Sequence, residues 1–438
     1  MNLIDNREGL ELKKIFFEAV LILMTALMSL SFAQFEGYGS ITAGYNKNPL
    51  NNYQTVGDQT KQTYFELKYN KEFPKSQLNF SYVSGLMLFN QFTDRNFYEH
   101  SLSANYQLNF DKQLSNSQIS NSSTDEEDST ETDSLQEENN SDEVRNTMLF
   151  GVTLNSRLDK DAHKDFDNYG LSFNSIYKHV TNPDFNFTIS NSLSLRNYSN
   201  IEDLSNLTDL LSIEAGKTTG SGMNYGINLS GGFKYYTQTY YDTTKYEQVR
   251  NSNSKSQGKG KPGSKVASNK KILITPQSNG TYQIAFGIYA KKEWTNNSFQ
   301  ANALYRYNIR SQNRYLAQYV NTSFLSEDIY NDFFSYEGPE AAVKFAQSLP
   351  IGMKLTVNGL LQYKKYTAPA LDLAGNQIDG NRYDIHSYVE INLSRYFDLG
   401  NDFGFDITLT SGFLRNQSND DYNDFSSYFA TIGIGVGF

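Results

Sequence analysis

The sequence predicts an all-β fold: an antiparallel, up-and-down, transmembrane β-barrel of about sixteen strands (roughly 12–18), carrying two disordered inserts. Three observations point to it. The residues Phe425 to Phe438 alternate strictly, with Tyr428, Ala430, Ile432, Ile434, Val436 and Phe438 on one face and Ser427, Phe429, Thr431, Gly433, Gly435 and Gly437 on the other. An apolar face backed by so little side chain suits lipid better than a soluble core. The composition, 32 Tyr and 30 Phe against one Trp and eight Pro, describes amphipathic aromatic strands joined by polar turns. A mean hydropathy of −0.58 excludes a bundle of membrane helices, but spanning β-strands need only about 9–11 residues, half of them polar. Finally, alternating segments recur along the chain with connections that are short and long in turn.

Segments one to four fall at 35–46, 61–72, 77–90 and 97–110, with Phe65, Leu67 and Tyr69 marking one apolar face and Pro74 a tight turn. Segments five to eight are 146–158, 167–180, 184–197 and 208–216, the last with the faintest alternation. Nine to twelve are 222–240, 281–293, 297–310 and 337–348; thirteen to sixteen are 352–366, 381–396, 402–415 and 425–438. An even number puts both ends of the barrel on one side. Closure follows from the solvent, because an open sheet in lipid would leave a row of unpaired N–H and C=O groups.

Residues 1–33 read as a secretory signal: Lys13 and Lys14, an apolar run from Ala19 to Leu30, and cleavage expected after Ala33. The barrel then occupies 34–438. With the N-terminal end in the periplasm, the short turns are periplasmic and the long loops extracellular. The connection 111–145 departs from this pattern. Between Asp125 and Glu143 it holds ten acids and no base, a composition that cannot bury apolar area, so a disordered periplasmic insert is expected. A basic insert, 245–271, carries eight bases against Glu247 and is expected to be disordered and extracellular. The formal charge of −10 therefore belongs to the acidic insert more than to the barrel.

Taking each apolar face as lipid-facing puts the other in the lumen. There the pattern places Lys68, Arg157, Lys178, Arg196, Lys234, Lys291, Arg306, Arg310, Lys344, Lys354 and Lys364 against Glu66, Asp384, Glu390 and Asp406. A positive interior would favour anionic solutes, although a one-residue slip in any strand reverses its faces. A sixteen-stranded barrel is wide enough for an aqueous channel unless loops fill it. The segment 312–337, with Tyr315, Leu316, Phe324, Phe333 and Phe334, is more apolar than a free loop should be and is a candidate for an inward constriction, a short interfacial helix or an exposed binding surface.

Catalysis has one candidate, the pair Asp384 and His386, which share a face two residues apart. The spacing matches the Asp-x-His of barrel surface proteases, but no second acidic pair accompanies it, so no enzyme is expected. With no cysteine there is no thiolate site and no disulfide framework. Asp372, Asn376, Asp379 and Asn381, and separately Asp420, Asp421, Asn423 and Asp424, offer hard oxygen ligands of the kind calcium takes, yet turns require the same residues. No metal or cofactor is assigned. The basic insert lacks the interleaved aromatics that stack bases, so no nucleic-acid partner is expected.

Thr431, Gly433, Val436 and Phe438 give the closing strand a further character. A polar residue, a glycine two later, a hydrophobic three after that and a terminal aromatic resemble the recognition strand of Gram-negative outer-membrane barrels. The resemblance implies insertion by the barrel assembly machinery with periplasmic chaperones. The polar tip Arg415 to Asp424 and its flanking strands are also similar to the last hairpin of surface lipoprotein assembly modifier-type barrels. The expectation is a porin-like channel for small solutes. The alternative is a structural, assembly or secretion barrel whose loops and acidic insert bind a periplasmic partner or surface polysaccharide.

Overall fold

The computed structural model describes residues 35–110, 146–182, 184–237, 241–248, 270–276, 279–310, 333–400 and 403–438. The expected signal segment, the acidic insert, 249–269 of the basic insert and 312–332 of the apolar loop lie outside the described residues.

Eighteen strands are present among the described residues. They are β1 (Phe35–Asn46), β2 (Asp58–Phe73), β3 (Ser76–Phe89), β4 (Phe97–Asn109), β5 (Asn146–Asp159) and β6 (Asn168–Asn182). Then follow β7 (Phe185–Tyr198), β8 (Asn206–Thr218), β9 (Met223–Tyr236), β10 (Tyr241–Gln248), β11 (Lys270–Pro276) and β12 (Gly280–Glu293). The chain ends with β13 (Asn297–Arg310), β14 (Tyr336–Leu349), β15 (Met353–Leu371), β16 (Gln377–Gly400), β17 (Phe403–Ser418) and β18 (Phe425–Gly437). All but β10 and β11 form one closed antiparallel barrel of sixteen strands, each paired with its sequence neighbours, β9 passing directly to β12. Every segment expected from the alternation is one of these strands.

β10 and β11 pair only with each other. The two ends of the basic insert, Lys245 to Gln248 and Lys270 to Lys271, lie in this hairpin, and the rest of the insert is outside the described residues.

β1 closes the barrel onto β18, with Ile41 opposite Ile434 and Tyr45 opposite Ala430. The terminal residue extends it: Gly37 N–H donates to the Phe438 carbonyl at 2.7 Å, and Phe438 N–H returns to Gly37 at 2.9 Å. A Cβ on Gly37 would stand 2.3 Å from the Phe438 ring. Glycine is what lets the terminal aromatic lie across β1. On β18, Val436 and Phe438 face outward, while Thr431 and Gly433 face the lumen opposite Thr410 and Thr408.

The sidedness is the reverse of a soluble protein. Large apolar residues are the exposed ones, with Ile41 65 %, Phe286 54 %, Leu229 53 % and Ile432 52 % accessible, all pointing outward. The buried residues are mainly polar and point into the lumen. Only a barrel whose outer surface meets lipid is built this way.

Candidate functional site: the lumen

The register fixes which side chains line the lumen. Arg157, Lys178, Arg196, Lys234, Lys291, Arg306, Lys344, Lys354, Lys364, Asp384, His386, Glu390 and Asp406 all lie on lumen positions. Arg310 does not. A register shift between Tyr282 and Gln283 skips Ile309 and sets Arg310 opposite Tyr282, on the outward side, where it is exposed. Arg382, absent from the expected set, takes a lumen place beside Asp384. The register also brings in nine acids that the alternation left out: Glu36, Asp58, Glu72, Glu99, Asp159, Glu214, Glu293, Glu340 and Asp398. Eleven bases therefore share the lumen with thirteen acids rather than four, and the sign of the interior is set by where these groups stand.

Near the long-loop rim the lumen is packed. Five cations each lie over an aromatic ring: Arg157 over Phe97 at 3.9 Å, Arg382 over Tyr366 at 4.3 Å, Lys364 over Tyr336 at 5.0 Å, Arg306 over Phe333 at 5.1 Å and Lys234 over Tyr236 at 5.6 Å. Successive residues on one face of a strand are two apart, and Arg157 and Arg382 each find a carboxylate at that spacing. Arg157 binds Asp159 at 2.8 Å through two nitrogens, and Arg382 binds Asp384 in the same bidentate way. Arg306 reaches Glu340 at 3.4 Å. Desolvation makes a cation over a ring worth more, and the carboxylates spare the barrel an uncompensated buried charge.

Loops enter this layer. Phe334 is 1 % exposed, and Gln283 Nε2 donates to the carbonyls of Phe333 at 2.5 Å and Tyr336 at 3.2 Å, so the described end of the apolar loop is tied inside the wall. Asp58, also 1 % exposed, accepts the backbone N–H groups of Gln59, Gln91 and Phe92 and folds the 90–96 loop inward, beside an apolar cluster of Met87, Phe89 and Phe97. Asp420 accepts Leu371 N–H and Asn423 Nδ2, joining two loops. Those residues, read from sequence as oxygen ligands, work here as loop ties.

The short-turn half is different. Lys178, Lys291, Lys344 and Lys354 are exposed to the lumen, spread over β6 to β15. Glu36, Glu66, Glu72, Glu390, Asp398 and Asp406 line β16, β17, β1 and β2. Two cavities accompany the two walls. One, of about 880 Å³, is lined by Glu36, Glu66, Lys68, Glu72, Tyr396 and Asp398; the other, of about 550 Å³, by Lys178, Glu214, Lys291 and neighbouring Asn and Thr residues. In the strand order the first centres on β18 and the second between β8 and β9, so they face each other across the barrel.

The Asp384 and His386 pair is not joined. Asp384 accepts from Arg382 and from Ser418 Oγ at 2.6 Å, whereas His386 Nδ1 contacts Asn416 Oδ1 at 3.3 Å.

A closed antiparallel sheet of sixteen strands, apolar outside and polar within, defines an outer-membrane β-barrel, and the chain is a protein of the bacterial outer membrane. No family model matches the sequence, and no curated protein matches it. Among solved structures it is similar over 93 % of its length to the outer membrane protein OpdK of Pseudomonas aeruginosa, at 8 % identity and a TM-score of 0.39, covering 100 % of that chain. It is similar over 92 % to OccAB2 of Acinetobacter baumannii, at 8 % identity and a TM-score of 0.43, covering 97 % of that chain. CdiB of Acinetobacter baumannii, at 10 % identity and a TM-score of 0.43, is matched over 92 % of this chain and 60 % of its own. At these scores the likenesses add nothing to what the strand order itself states.

Proposed function

We propose that the barrel is a porin-like channel for the passive passage of small solutes. The observation that carries this is the short-turn half of the lumen, where exposed charges surround cavities instead of forming a packed core. The anion-leaning part of the proposal rests on the wall from β6 to β15, where four exposed lysines stand against Glu214 and Glu293. Low-dielectric walls focus the field of such groups, so anions follow this wall and cations the acidic one opposite. Pure protein reconstituted into planar bilayers should give conductance steps. Insertion without steps overturns the channel.

No catalytic role is proposed, since Asp384 is occupied by Arg382 and Ser418. A second function, binding a periplasmic partner, is favoured by one contact. Phe110 N–H donates to the Asn146 carbonyl at 3.0 Å, so the acidic segment leaves and re-enters at the short-turn rim. Deleting 119–143 should leave conductance intact and abolish capture of that partner; unchanged capture removes the idea. The apolar outer face supports lipid as a partner, and the barrel assembly machinery with periplasmic chaperones is the partner proposed for biogenesis.

A further inference from the structure

The outward face is apolar over most of its height, and four ionisable residues stand outward three in from a long-loop strand end: Lys61, His100, Asp209 and Arg415. Lys61 has the reach to snorkel to the rim and Arg415 pairs with Asp424, which leaves the short side chains of His100 and Asp209. His100 is three residues in from Phe97, the long-loop end of β4, and Asp209 is three in from Asn206, the long-loop end of β8. Both stand outward by register: His100 shares its face with Tyr98 and Tyr106, Asp209 with Leu211. Three residues of strand are about 10 Å, which sets both groups below the rim and inside the band that meets lipid.

Each is half satisfied by its own chain. Tyr82 Oη lies 3.0 Å from His100 Nδ1, with the two rings stacked at 17°. With the phenol donating, Nδ1 is the acceptor and Nε2 carries the proton, so a donor is left over. On β7 and β8, Asn191 Nδ2 donates to Asp209 Oδ1 at 2.7 Å. Among the described residues Oδ2 accepts nothing. A donor and an acceptor in lipid each lack the partner that water would otherwise supply, and ionisable groups in membranes are rare unless paired.

They cannot pair within one barrel, because β4 and β8 are four strands apart around the circumference. They can pair between barrels. Copies related by an axis along the membrane normal lie at the same height, so residues that meet across their contact must share a depth, as these do. We propose that a second copy of this chain docks its β3–β5 outer face, centred on His100, against the β7–β8 face centred on Asp209, with Nε2–H donating to Oδ2 across the contact. The two patches differ and lie a quarter turn apart, so the contact is head-to-tail and closes into a small ring. Leu102 beside the histidine and Leu193 and Leu211 beside the aspartate supply an apolar surround.

The absence of native cysteine makes the test clean. His100→Cys and Asp209→Cys chains, distinguishable by an affinity tag, are co-expressed and oxidised in intact outer membranes. The expected result is a disulfide-linked mixed dimer in which the barrel remains folded by heat-modifiable mobility. A chain carrying both substitutions should give a ladder of higher oligomers. Folded barrels without the mixed dimer overturn the proposal, and so does a predominant Asp209→Cys homodimer, which would mean a two-fold contact. A Tyr428→Cys partner, outward and three residues in from the long-loop end of the seam strand, should cross-link to neither.

Discussion

The two ends of the lumen are made from the same alternating strands and behave as different materials. Toward the long loops, Arg382 and Asp384 are 8 % and 2 % accessible, and five cations of the layer each lie over a ring. Toward the short turns, Lys291 and Glu293 form a pair at 2.7 Å with 49 % and 65 % accessible. The difference is what covers them. Where loops return into the barrel, charges lose water and need fixed partners; at the end where turns such as 74–75 and 350–352 join the strands, the charges stay exposed and water is the partner.

Breaking a buried pair should show this contrast most strongly. Arg382→Ala leaves Asp384 buried with Ser418 Oγ as a remaining donor, and should lower stability by about 3–5 kcal/mol, read as a fall in the temperature of heat-modified mobility. Lys291→Ala, at the open end, should cost less than about 1 kcal/mol. An equal loss from both would erase the distinction between the two ends.

The open end is sharpened by function instead. Lys344→Glu with Lys354→Glu should leave the unfolding temperature almost unchanged and move the zero-current potential under a salt gradient toward cation preference. An unmoved potential would show that solutes do not sense that wall.

The smallest expected effect lies outside the barrel, in the turn between β15 and β16. Asp372 accepts the N–H groups of Ala374 and Asn376 and the side chain of Asn376, and these donors, Asn376 foremost, hold its carboxyl below the ordinary value of 3.8. A depressed folded value means that the stabilisation is fully present above 3.8 and is lost as pH falls through the depressed one. Cleavage of the 372–376 turn by an acid protease should therefore increase over that fall. Asp372→Ala should be cut readily on both sides of it.

The fold was legible almost completely, because a lipid-facing strand must alternate and nothing else in the chain does so at that length. Even the faint eighth segment, 208–216, is β8. The site was legible in part. Glu36, Glu72, Glu99 and Asp398 lie near strand ends, where alternation fades into the loop and only the hydrogen-bond register says which way a side chain points. Arg310 was misplaced by a bulge, which adds a residue without changing the look of the pattern. The rings under the cations belong to other strands in several cases, Phe97 for Arg157 and Tyr336 for Lys364, and sequence spacing cannot bring those together.

The glycines of the closing strand give it an unusual part in its own docking. Tyr38 on β1 donates to Asp406 on β17 at 2.9 Å, and the two side chains meet directly over Gly435 of β18, where a Cβ would stand 2.1 Å from the phenol oxygen and 2.4 Å from the carboxylate. A bond between two strands thus inspects the third. If β18 slipped by one residue, Ile434 or Val436 would arrive beneath the bond and push it apart. The barrel thus carries a built-in check against a one-residue slip of its last strand, and that strand contributes to it by having no side chain at this position.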